Sequence, residues 1–130
     1  MEAYQGAYYQ QDTIDELKRH AQVFLYGPGF NQYNSNDSLA DVLAKSSVSF
    51  DCIVVGHSWL SEVAGPITPC PEIDLRKAGV PLVAILNKEY NNLENKLGYL
   101  ATNGFNLIFT HHHDFNHYSE KTGIRCIFWP

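Results

Sequence analysis

Five short apolar runs recur along the chain, separated by segments whose apolar residues fall three and four positions apart. The runs have the sequences VFLY (residues 23–26), DCIVVG (51–56), PLVAILN (81–87), NLIFT (106–110) and RCIFW (125–129). They are continuous and rich in Val, Ile and Phe, which is typical of strands buried on both faces of a parallel sheet. The pattern therefore predicts about five parallel strands.

The segments around these strands carry helix signals. Thr13 and Glu16 have the spacing of a capping box, which predicts that the first helix begins at Thr13. Four later helices are expected between polar N-cap side chains and glycines, starting near residues 35–39, 74, 93 and 114. Strands alternating with helices indicate right-handed βαβ units. We therefore predict an α/β fold, a three-layer Rossmann-like or flavodoxin-like domain, over residues 1–130, with 1–11 as a helical turn or arm.

Composition narrows the function classes. The 130 residues are 45% hydrophobic, and 9 basic against 14 acidic residues give a net charge of −5. The basic residues form no run, so we expect no nucleic-acid partner. Three widely spaced cysteines predict neither a disulfide framework nor a cysteine zinc site, which favours a reducing compartment. No signal-peptide pattern or 18-residue apolar stretch occurs, so a cytoplasmic protein without a membrane partner is expected.

Polar and aromatic residues follow each predicted strand directly. The carboxyl ends of parallel strands meet at one edge of the sheet, where α/β proteins bind ligands. The predicted ligand-binding residues are Gly27, Gly29, Ser58, Trp59, Asn87, Lys88, Glu89, His111 and His113. The sequence therefore predicts a shared pocket at this edge.

Histidines supply the candidate chemistry. His57, beside Ser58 and near Glu62, is a candidate general base, or alternatively a hydrogen-bonded loop residue. The HHHD run with His117 is a second candidate, but adjacent loop side chains point in different directions and the Glu of HExxH is missing. We therefore predict neither a metal site nor a cofactor.

The ordered motifs YGPGF, DCIVVGHSWL, PLVAILNKEY, FNLIFTHHHD and the final FWP resemble the N-terminal half of a GT-B-fold glycosyltransferase of the spore-maturation-protein-like group. The resemblance covers about residues 12–130. It implies the acceptor side of a cleft in a two-domain enzyme that transfers sugar from a nucleotide donor. Two departures stand out, because the chain ends where a donor-nucleotide domain would follow and the strand that normally precedes the first helix is missing.

Three functions stay open from the sequence. The first is a stand-alone, non-catalytic domain of glycosyltransferase type that binds a sugar or sugar nucleotide. The second is an enzyme, either half of a split glycosyltransferase or a small enzyme using His57. The third is a homo-oligomeric interaction protein, whose surface would come from the Tyr-rich start and the Pro-rich segment 57–72.

Overall fold

The fold is α/β and is built around one parallel sheet. The computed structural model describes residues 8–27, 30–56, 60 and 74–130. Its elements are, in chain order, α1 (Tyr8–His20), α2 (Leu39–Ser46), β1 (Ile53–Val55), a 3-10 helix (Leu75–Lys77), β2 (Leu82–Leu86), α3 (Leu93–Thr102), β3 (Leu107–Thr110), α4 (Phe115–Thr122) and β4 (Arg125–Phe128).

The four strands pair in the order in which they occur in the chain, and every pair is parallel. Val55 lies opposite Ala84, Ala84 opposite Ile108, and Ile108 opposite Cys126. This arrangement is consistent with a Rossmann-like fold. The prediction of an α/β domain with a parallel sheet is confirmed, but the described residues form four strands rather than about five.

Residues 23–26 account for this difference, because this predicted strand has no strand partner in the described part of the chain. Its polar groups bond elsewhere. The carbonyl of Leu25 accepts a hydrogen bond from the side-chain amide of Gln32, and the hydroxyl of Tyr26 donates to Asp37 at 2.7 Å. A loop side chain thus occupies a carbonyl that a neighbouring strand would otherwise use.

The sheet has two unequal faces. On the first face, Ala84, Leu86 and Ile108 are fully buried, and they join a core that includes Leu97 and Leu100 of α3. The side chains that alternate with them, such as those of Val83 and Ile85, are only half-buried. The expectation of strands buried on both faces is therefore wrong for the second face, where Val54 is 45% exposed.

Most helix boundaries follow the predicted signals. Ser38 caps α2 in a capping box with Asp41, and Gly123 ends α4 with a left-handed φ of 71°. The first boundary is wrong, since α1 begins at Tyr8 and Thr13 lies inside it. Residues 8–11 therefore belong to α1. None of the helices in the described ranges has the length and apolar character needed to cross a membrane.

A buried carboxylate fixes the loop between residue 26 and α2. Asp37 is 8% exposed, accepts a hydrogen bond from the Tyr26 hydroxyl and forms an ion pair with Lys45 of α2. The hydrogen bond from Lys45, followed by that from Tyr26, lowers the pKa of Asp37 below its ordinary value. Lys45 also donates to the carbonyl of Gln32 at 3.1 Å, so one ammonium ties the loop together.

Asp37 should make the stability of the fold depend on pH in acid. Its pKa is lower in the folded chain than in the unfolded chain, so its stabilising contribution is complete above about pH 4 and is lost as pH falls through the lowered folded value. We expect Asp37→Asn to flatten the fall in unfolding free energy below about pH 4, measured by urea unfolding. Asp51→Asn, at an exposed aspartate, is the matched control. An unchanged slope in Asp37→Asn would refute the assignment.

Candidate functional site

The ends of the four parallel strands lie along one edge of the sheet, as predicted from the sequence. Gly56, Asn87, His111 and Trp129 each stand just beyond the carboxyl end of a strand. Trp129 extends the pairing of β4 by donating its backbone N–H to the Thr110 carbonyl at 2.8 Å. We call Gly56, residues 87–92, residues 110–114 and Trp129 the strand-end rim.

The loop from β2 to α3 enters the rim in an unusual backbone conformation. Lys88 and Asn92 have φ values of 52° and 58°, in the left-handed region that non-glycine residues seldom adopt. The Asn87 side chain accepts the backbone N–H of Lys88 at 2.6 Å, and the Lys88 carbonyl accepts the N–H of Asn91 at 3.0 Å. Such conformations are energetically costly and concentrate at ligand sites.

A buried lysine lies beneath this loop. Lys96 of α3 is 1% exposed, and its Nζ donates to the carbonyls of Asn87 at 3.2 Å and Lys88 at 3.1 Å. Burial lowers the pKa of Lys96, the negative charge of Glu89 opposes this, and the positive charge of Lys88 adds a smaller lowering. Burying an ammonium costs free energy because it loses its hydration water. A lysine at this buried position therefore indicates a specific role.

The carboxylate of Glu89 joins the loop to β3. The Thr110 side chain, which is fully buried, donates its hydroxyl to Glu89 Oε1 at 2.5 Å. The same hydroxyl oxygen accepts the backbone N–H of His112 at 3.0 Å. Glu89 is half-buried. The position of the Glu89 carboxylate is therefore set by a buried hydroxyl, and a buried ammonium of opposite charge attracts it.

The histidines of the rim stack on different aromatic partners. The ring of His111 stacks on that of Trp129, with centroids 6.1 Å apart. His112 stacks on His113 at 4.8 Å and faces Tyr118 at 5.7 Å. His112 Nδ1 accepts the backbone N–H of Asp114 at 3.1 Å, which places the proton of the neutral ring on Nε2. Among the described residues, no three His, Cys, Asp or Glu side chains group closely enough to hold a metal ion.

Glu89, Lys96 and Thr110 form a polar cluster at the rim, and Tyr118 of α4 lies near it. Its side chain is 3% exposed, and burial, followed by the charges of Glu89 and Asp114, raises the pKa of its hydroxyl. Tyr118 therefore stays neutral and packs against the imidazole of His112.

The structure gathers only some of the predicted ligand-binding residues. Asn87, Lys88, Glu89, His111 and His113 lie on the rim. Gly27 is buried and has a φ of 148°, which favours glycine, but it follows no strand. The remaining predicted positions lie outside the described residues: Gly29, His57, Ser58 and Trp59.

Three residues of the site were not predicted: Lys96, Thr110 and Tyr118. For Lys96 a signal existed, since it lies three residues after Leu93 and four before Leu100, on the face of the helix that carries the apolar stripe. Thr110 is the last residue of β3 and belongs to the apolar run 106–110, whose pattern indicates only a buried strand. Nothing in the sequence marks Tyr118.

Comparison of the chain with known protein families, with curated proteins and with solved structures found no match.

Proposed function

We propose that this chain is a three-layer Rossmann-like binding domain that holds a sugar, or the sugar of a sugar nucleotide, at the strand-end rim. It resembles the acceptor-side N-terminal half of a GT-B glycosyltransferase and carries out no catalysis on its own. The observation that carries the proposal is the half-buried Glu89 carboxylate, fixed by the Thr110 hydroxyl and opposed in charge by buried Lys96.

The chemistry of this carboxylate suits hydroxyl groups. Thr110 occupies Oε1 of Glu89, and within the described residues no other hydrogen bond reaches the carboxylate, so Oε2 is available to a ligand. A carboxylate accepts strong, charge-assisted hydrogen bonds from hydroxyl donors. The exposed ring of Tyr90, 87% accessible to solvent, lies next to it in the chain and offers an apolar surface to a sugar ring.

The position of the cluster supports a binding role over a purely structural one. Ligands of open parallel sheets bind beyond the carboxyl ends of the strands, where the cluster lies. A buried ammonium and a left-handed Lys88 each lower stability locally, and such features gather at functional sites. The glycosyltransferase type comes from the ordered motifs YGPGF, DCIVVGHSWL, PLVAILNKEY and FNLIFTHHHD, of which the last two contribute residues to this cluster.

A ligand panel tests the proposal. We expect one or more of glucose, N-acetylglucosamine, UDP-glucose and GDP-mannose to raise the melting temperature of the chain in a concentration-dependent way. Absence of stabilisation by every member of the panel would contradict sugar binding. Transfer or hydrolysis of UDP-glucose by the chain alone would contradict the non-catalytic part of the proposal.

Glu89→Gln is expected to weaken binding of the stabilising sugar by about 10-fold or more, because a charge-assisted hydrogen bond contributes about 1.5–3 kcal/mol. The amide can still accept the Thr110 hydroxyl, so the fold should persist. Glu120→Gln, at an exposed glutamate of α4, is the matched control and should bind normally. Isothermal titration calorimetry measures both variants, and equal affinities would remove Glu89 from the site.

A further inference from the structure

Lys96 combines complete burial with an unusual choice of partners. It is 1% exposed, and its two hydrogen bonds go to backbone carbonyls. No carboxylate among the described residues lies within ion-pair distance of its Nζ. If this position only filled the core, Leu or Met would suit it better, because neither needs a polar partner. The ammonium therefore has a task that depends on its donors and its charge.

The two carbonyls identify the first part of that task. They belong to Asn87 and Lys88, the residues directly before Glu89. Lys88 is also the residue with φ 52°, where the chain turns away from β2. By holding the carbonyls on both sides of that turn, Lys96 fixes the backbone from which the Glu89 side chain extends.

The charge of Lys96 supplies the second part. Glu89 is the anion whose field acts on Lys96, and the interaction is mutual. The charged and titratable groups around this pair are Lys88 on the loop and Tyr118 and Asp114 at α4, while β3 contributes the neutral Thr110 hydroxyl. The attraction between the ammonium and the carboxylate therefore restrains the side chain of Glu89 as well as its backbone.

We propose that Lys96 is a positioning residue of the rim, which orients Glu89 without touching the ligand. This inference rests on the proposed function, since it assigns Glu89 the contact with the sugar. It differs from a role in stability alone, because loss of the ammonium should release the loop and weaken sugar binding even in a chain that stays folded.

The test compares Lys96→Met, which keeps the length of the side chain without its charge, with Lys96→Arg, which keeps the charge. Lys121→Met, which removes the partly exposed lysine that pairs with Glu94, is the matched control. Hydrogen exchange of the Asn91 amide, which donates to the Lys88 carbonyl, reports whether the loop is held, and calorimetry measures the affinity for UDP-glucose.

In Lys96→Met we expect hydrogen exchange of the Asn91 amide to become about 10-fold faster and the affinity for UDP-glucose to fall by about 10-fold. Lys96→Arg should restore both, and Lys121→Met should match the wild type in both measurements. A folded Lys96→Met chain with wild-type exchange at Asn91 would overturn the inference.

Two further arms keep the result decisive. If Lys96→Met fails to fold, nitrogen-15 NMR of the Lys96 ammonium in wild type and Glu89→Gln replaces it. The midpoint of Lys96 should fall when Glu89 loses its charge, and no change would overturn the inference. If no probe binds, the proposed function fails, while hydrogen exchange at Asn91 still decides whether Lys96 holds the loop.

Discussion

Ile108→Ala is expected to lower the free energy of unfolding by about 2–5 kcal/mol, the range found for large-to-small changes at fully buried sites. Ile108 is 0% exposed and stands in the inner strand β3, between Ala84 of β2 and Cys126 of β4. Removing its side chain leaves a cavity that the paired strands on both sides cannot close. Urea unfolding followed by circular dichroism measures the loss.

Ile85→Ala is the matched control, since Ile85 lies in the neighbouring inner strand β2 but on the half-buried second face. Less apolar surface leaves water at this position on folding, so its loss should be less than half that of Ile108→Ala. Equal losses for the two variants would mean that the two faces of the sheet are buried to the same degree.

Thr110→Val should destabilise the fold by about 1–3 kcal/mol even though the two side chains have nearly the same shape. The change removes a donor to Glu89 and an acceptor for the His112 N–H at a position that is 0% exposed. Both partners lose a hydrogen bond, and the Glu89 side chain loses its anchor. Urea unfolding measures the effect, with Thr102→Val at an exposed position of α3 as the control.

A double-mutant cycle sharpens this prediction. If Thr110 acts through Glu89, the losses in Thr110→Val and Glu89→Ala, which removes the acceptor, should not be additive, and the coupling should be about 0.5–3 kcal/mol. Additive losses within experimental error would show that the buried hydroxyl and the carboxylate stabilise the fold independently.

Much of the fold could be predicted because its signals are local. The runs that form β2, β3 and β4 are long and apolar enough to be predicted as strands. Ser38 and Gly123 lie at helix ends, as expected for an N-cap serine and a glycine with positive φ. The run at 23–26 has the composition of a strand, but a side chain seven residues from Leu25 takes its carbonyl. Such a contact depends on the path of a loop, which residue types alone do not specify.

The site could be predicted as a place more readily than as a set of residues. Asn87, Lys88, Glu89 and His111 were located by the rule for strand ends, which needs only the strands and their direction. Lys96 and Thr110 lie inside a helix stripe and an apolar run, and their importance comes from burial beside Glu89. Burial of a polar side chain is a tertiary property, so the apolar patterns that predict the core do not identify Lys96 and Thr110 as site residues.

The in-sequence order of the strands bears on how the molecule folds. Each strand of β1-β2-β3-β4 pairs with the strand next to it along the chain. Each pairing therefore spans a single connection between consecutive strands. The entropic cost of closing a loop grows with the length of the loop. Contacts between segments that are close in sequence therefore form faster than contacts between segments far apart in sequence. The sheet can grow by one strand at a time, and the pair β2 and β3, once formed with α3 between them, already unites Glu89, Lys96 and Thr110.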